Sequence, residues 1–72
     1  MATQVKAHIT GTVWKIEVKV GDTVSEGQTV VILESMKMEM PVESPVAGKV
    51  TAVLTKEGAS VEEGAPLVEV AP

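Results

Sequence analysis

The chain of 72 residues contains no cysteine, arginine, phenylalanine or tyrosine, and only one histidine and one tryptophan. Without cysteine there are no disulfides, no thiolate metal sites and no thiol nucleophile. His8 alone does not make a metal centre, because zinc takes three or four protein ligands; in a strand-like segment it reads as a structural residue. Arginine is the usual residue for bidentate phosphate and guanine contacts, so its absence, with a net charge of −4, argues against nucleic-acid binding. No stretch reaches the roughly eighteen apolar residues that cross a bilayer, and the first residues lack an apolar run of signal-peptide length. A soluble, cytoplasmic protein without a membrane partner is expected, provided that Met1 is the native start.

Catalytic constellations are missing too. There is no Ser–His–Asp set at workable spacing, and the glycines do not cluster into a phosphate loop that opens a helix. Glu34, Glu39 and Glu43 could supply a carboxylate pair, but acid–base work needs a cleft that perturbs such groups. A chain this short buries only roughly 60% of its unfolded surface, which leaves little volume for a pocket beside a core. No catalytic residue and no metal ligand is assigned.

What is present is a repeat. Gly11-Thr-Val13, Gly21, Val24 and Glu26-Gly27 recur as Gly48-Lys-Val50, Gly58, Val61 and Glu63-Gly64, each pair 37 residues apart (48 − 11, 58 − 21 and 64 − 27). Val30-Val31 matches Leu67-Val68 at the same offset. Two units are too few for a solenoid and suit a closed domain with approximate two-fold symmetry. Each half reads as strand, turn, short strand, turn, strand. In Val13 to Val20, the residues Trp14, Ile16, Val18 and Val20 alternate with Lys15, Glu17 and Lys19, which predicts a half-buried strand with Trp14 in the core. Val50, Val53 and Leu54 do not share one parity, and a bulge would reconcile them. Val30 to Leu33 is an apolar run of strand length, expected to be well buried. Gly27 and Gly64 are placed in turns that call for positive φ, and Pro66 at a strand start. The expected fold is all-β, a flattened antiparallel barrel or sandwich of two quasi-two-fold halves.

Between the halves lies Glu34-Ser35-Met36-Lys37-Met38-Glu39-Met40-Pro41. Lysine between two methionines is an odd choice for a solvated turn, where Gly, Asn, Asp or Ser would be expected. In an extended segment Met36, Met38 and Met40 would face one side and Lys37 and Glu39 the other. The bland reading is a hairpin with a solubilising tip. The functional one is a modification site, with exposed methionines as an adaptable recognition surface.

With Glu34-Ser35-Met36-Lys37-Met38-Glu39 at its centre, Gly21-Asp22-Thr23-Val24, Glu26-Gly27 and Pro45-Val-Ala-Gly48 complete a pattern. The chain resembles the biotinyl/lipoyl attachment domains, a barrel-sandwich hybrid fold, over essentially its full length. In that family a methionine-flanked lysine is the biotin acceptor, whereas lipoyl domains usually place an acidic residue before the lysine and alanine after it. The resemblance therefore implies covalent biotin on Lys37, Met36 and Met38 as ligase-recognition residues, and Glu34, Ser35 and Glu39 as the flanking motif. Ser35 stands where biotin carriers commonly have alanine, and His8-Ile-Thr-Gly11 stands where many relatives have a proline-containing equivalent of Pro45 to Gly48. The protruding loop of some acetyl-CoA carboxylase carriers is absent, so the chain is most similar to the compact attachment proteins.

The resemblance further implies a single carrier domain over 1–72, with halves at about 5–34 and 42–71 and an attachment hairpin at 35–41. It implies a carrier and not an enzyme. A biotin protein ligase would load Lys37, a biotin carboxylase would charge the cofactor with a carboxyl group, and a carboxyltransferase would pass that group on. The alternative it implies is lipoate on Lys37, carrying acyl groups in a 2-oxo-acid dehydrogenase.

Overall fold

Every regular element in the computed structural model is a β-strand, and the structure describes residues 2–72. Among the described residues there are eight strands: β1 (Thr3–Lys6), β2 (Gly11–Ile16), β3 (Thr23–Val24), β4 (Thr29–Ser35), β5 (Met38–Glu43), β6 (Gly48–Val53), β7 (Ser60–Val61) and β8 (Pro66–Ala71). They form two antiparallel four-stranded sheets, ordered β1-β8-β6-β3 and β5-β4-β2-β7. Among the described residues no helix is long and apolar enough to cross a membrane.

The 37-residue repeat is visible in this topology. Shifting every strand by four positions turns the first sheet into the second, and the register follows. Thr3 opposite Val70 becomes Met40 opposite Leu33, and Thr23 opposite Lys49 becomes Ser60 opposite Thr12. Each two-residue strand, β3 or β7, completes the sheet built mainly by the other half. Thr3 and Val70 are neighbours, so the first and last strands lie side by side in one sheet while the β4–β5 hairpin closes the other.

The core repeats as well. Val5 and Val42, Val13 and Val50, Val24 and Val61, Val31 and Val68, and Leu33 and Val70 are symmetry-related pairs, and all are buried. Each buried valine or leucine contributes about 1.5–3 kcal/mol relative to exposure. The β-branched residues suit a pleated, packed surface, and their short side chains allow the two sheets of so small a domain to close. Gly27 and Gly64 take φ of 85° and 91°, and Pro66 opens β8, as the sequence suggested.

Three expectations need correction. Trp14 is 47% exposed and Val20 61% exposed, so neither belongs to the core. The register slips between Val13 and Lys15, where Trp14 is the extra residue of a β-bulge. Trp14 and Lys15 together oppose Ile32, and the residue that turns inward is Val13. The strand also ends at Ile16, short of Val20. In the apolar run of β4, Val30, Val31 and Leu33 are buried, while Ile32 lies on the outer face and is only partly covered. The matching bulge in β6, between Val50 and Ala52, accounts for the broken parity there.

Candidate modification site at the β4–β5 hairpin

Strands β4 and β5 pair up to Ser35 opposite Met38, which leaves Met36 and Lys37 as a two-residue loop. Both carry positive φ, 52° and 65°. Positive φ at both central residues is the type I′ pattern, whose twist matches that of the flanking strands. Such turns normally use Asn-Gly, because a Cβ at positive φ crowds the carbonyl and costs roughly 1–2 kcal/mol per residue. Methionine and lysine occupy these positions against local preference, and backbone strain of this kind clusters at functional sites. The expected hairpin turns at Met36 and Lys37, which form its corner, and the strand alternation starts only at Met38.

The loop projects its side chains. Met36 is 91% exposed, Met38 is 60% exposed, and Lys37 is exposed between them. Among the described residues the Lys37 amine makes no ion pair. Glu34 and Glu39 stand directly opposite one another on the outer face of the sheet, both exposed, and Ser35 is half-buried. The sequence motif is thus brought together whole, with the lysine at its apex, two methionines beside it and two carboxylates below.

The hairpin is anchored by a residue to which sequence reasoning gave no role at the site. A side chain on Gly11 would place its Cβ 2.6 Å from the main-chain oxygen of Glu34 and 3.3 Å from Cβ of Ser35. Only glycine lets β2 approach the hairpin root this closely. The available signal was the match of Gly11 with Gly48, which meets the main chain of Ala71 in the same way.

Chemically, the arrangement offers one reachable amine and no catalytic machinery around it. An open cleft of about 550 Å³ lies beside Gly11, lined by Thr10, Thr12, Ser60, Val61 and Glu62, with Glu62 its sole ionisable side chain. No group of three or more His, Cys, Asp or Glu suited to a metal ion occurs among the described residues. An exposed, unpaired lysine on a two-residue loop fits a long prosthetic arm in amide linkage, because nothing in the scaffold must move to admit it.

Comparison with known proteins agrees with this geometry. Residues 1–70 match the biotin/lipoyl family model, described as biotin-requiring enzyme. The biotin/lipoyl attachment protein of Bacillus subtilis is 48% identical over 90% of this chain and 89% of its own length. The biotin carboxyl carrier protein of Streptococcus mutans is 43% identical, over 97% of this chain and 54% of that protein. The crystal structure of Kluyveromyces lactis urea carboxylase superposes with a TM-score of 0.92 at 38% identity, covering 99% of this chain and 6% of that one. The chain therefore spans nearly all of one relative, about half of another and a small part of a large carboxylase. It belongs to the biotin/lipoyl attachment family.

Proposed function

We propose that this protein is a biotin carboxyl carrier whose cofactor is held in amide linkage by Lys37. The observation that carries the reading is the Lys37 amine, exposed and unpaired on a two-residue loop at the junction of two symmetric halves. The relatives named as biotin carboxyl carrier protein, urea carboxylase and methylcrotonoyl-CoA carboxylase favour biotin over lipoate. The whole chain acts as one carrier domain, with halves at about 5–34 and 42–71 and 35–41 as the attachment hairpin.

Bound biotin supplies a ureido nitrogen that takes up and gives up a carboxyl group. The protein's own part is positional. Paired strands up to Ser35 and Met38 fix the backbone of the loop, while the lysine side chain leaves the arm free to swing. Tethering raises the effective concentration of the arm's end at partner sites, to about the millimolar range for a short flexible link. Contacts with those partners, a biotin carboxylase and a carboxyltransferase, are weak, since a carrier that binds tightly does not turn over.

Loading requires a biotin protein ligase. The Lys37 amine attacks an activated acyl group that the ligase presents, and the amide bond forms as the activating group leaves. Met36 and Met38 present soft, adaptable side chains on either side of the amine. Location in the cytoplasm suits these partners, and neither nucleic acid nor membrane has a part in the cycle.

Co-expression with a biotin protein ligase, followed by avidin detection, tests the reading. Wild type is labelled and Lys37→Arg is not, although it folds, because an exposed loop residue adds little to the core. Labelling of Lys37→Arg at another lysine overturns the site. Replacing Met36 by Asp and Met38 by Ala slows transfer without unfolding the domain, and unchanged kinetics count against the methionines.

A further inference from the structure

The two-fold symmetry supplies an internal comparison for the outer faces of the sheets. On the hairpin-bearing sheet, one row runs from Pro41 to Ile32 to the bulged pair Trp14 and Lys15. The same row on the other sheet runs from Gln4 to Glu69 to the bulged pair Thr51 and Ala52. There Thr51 donates its hydroxyl to the Glu69 carboxylate at 2.8 Å, an ordinary solvated pairing. The fold therefore does not need apolar side chains at these positions. Yet one copy has Trp14, Ile32 and Pro41, with the single aromatic residue of the chain 47% exposed. The next row toward the hairpin tip carries the facing carboxylates of Glu34 and Glu39.

We infer that this face, with Trp14 as its anchor, is the surface by which a biotin protein ligase grips the unmodified domain; the inference rests on the assignment of Lys37 as the attachment lysine. The ligase surface it fits has an apolar pocket for the indole and basic side chains opposite Glu34 and Glu39. Tryptophan in a desolvated pocket is a recurrent source of binding energy, and a charged rim steers encounter. Position favours the ligase over the carboxylase partners. Acyl transfer needs the amine held at about 3–3.5 Å from the reacting carbon, so the ligase must grip rigid structure close to the loop. Ile32 is three residues from Ser35, about 10 Å along β4, in the strand that forms the loop. Partners visited by the end of a long arm have no such need. A standard interface covers about 800 Å² per partner, and the domain exposes 4355 Å², so the ligase footprint takes about one-fifth of it.

The test exchanges the face for its own symmetry mate. The double variant Trp14→Thr, Ile32→Glu carries the side chains found at Thr51 and Glu69, and Thr51→Ala, Glu69→Ala serves as the control on the other sheet. Initial rates are measured with a purified bacterial biotin protein ligase, ATP and biotin, over a range of unmodified domain, with circular dichroism as the check on folding. The expected result is a roughly tenfold or greater rise in KM for the exchanged face with kcat nearly constant, as for loss of an interface anchor, and no change for the control. An unchanged KM in the folded exchange variant overturns the inference. Should that variant not fold, 5-fluorotryptophan in the wild-type protein reports directly: a ligase-dependent shift of the Trp14 fluorine signal supports the contact, and its absence refutes it. A wild-type dimer in sedimentation that Trp14→Thr turns into monomer assigns the face to a second copy instead and overturns the ligase contact. Absence of any label on wild-type Lys37 is the separate failure of the carrier reading itself.

Discussion

Gly11 packs against the main-chain carbonyl of Glu34 so closely that a Cβ would stand 2.6 Å from the oxygen. This contact joins β2 to the root of the β4–β5 hairpin, and its symmetry mate joins Gly48 to Ala71 at the end of β8. Gly11→Ala and Gly48→Ala should each destabilise the domain by about 1–3 kcal/mol through overpacking. For a domain of this size, each kcal/mol lowers Tm by about 4–8 °C. The two differ at the functional site. Gly11→Ala displaces the strand that carries Ser35 and slows biotinylation at temperatures where it is folded, whereas Gly48→Ala does not. Thermal melts beside labelling rates check both.

Ser44 is the buried polar residue of the core, and its hydroxyl donates to the carbonyl of Val46 at 2.6 Å. Its symmetry mate is Ala7, also buried, in a turn with the same main-chain bonds: Gly64 to Ala7 and Gly27 to Ser44. Ser44→Ala is therefore expected to fold, at a cost of about 0.5–1.5 kcal/mol for one hydrogen bond. A loss well above that range in urea unfolding would show that the hydroxyl holds more than its own turn.

Met36 at φ 52° opposes local preference. Met36→Gly relieves the crowding and is expected to raise stability by about 1 kcal/mol, less what glycine loses by freeing the unfolded chain. The same change removes an exposed methionine and should slow loading. Higher Tm with slower labelling is the expected pair of results; lower Tm would show that the loop is unstrained.

Glu34 and Glu39 face each other across the β4–β5 ladder. Like charges directly opposite are destabilising, so Glu39→Gln should raise stability by roughly 0.2–1 kcal/mol at low salt. The gain should fade at about 1 M salt, where the Debye length is about 3 Å. Equal stability of the two proteins at low salt would mean that the side chains splay apart.

The architecture was legible because the chain states its fold twice: the matched glycines and valines at an offset of 37 fix two equivalent sheets. The motif around Lys37 was legible because an unfavourable turn sequence at the junction asks for a reason. Trp14 was misplaced because period-two alternation assumes an unbroken ladder, and one extra residue between Val13 and Lys15 reverses which side chains face inward. The hairpin tip at Met36 and Lys37 was legible, but its positive φ at both residues was not, because nothing in Met-Lys signals that conformation. Gly11 was seen as a repeat marker, but its contact with Glu34 depends on how β2 meets β4, and single-strand patterns do not carry that information.

The most direct measurement is intact mass and peptide mapping of the protein isolated from its native cells. One biotinyl group on the peptide containing Lys37, and none elsewhere, is the expected result. A lipoyl group on that lysine, a biotinyl group on a different one, or an unmodified Lys37 in protein from cells that contain an active ligase would contradict it.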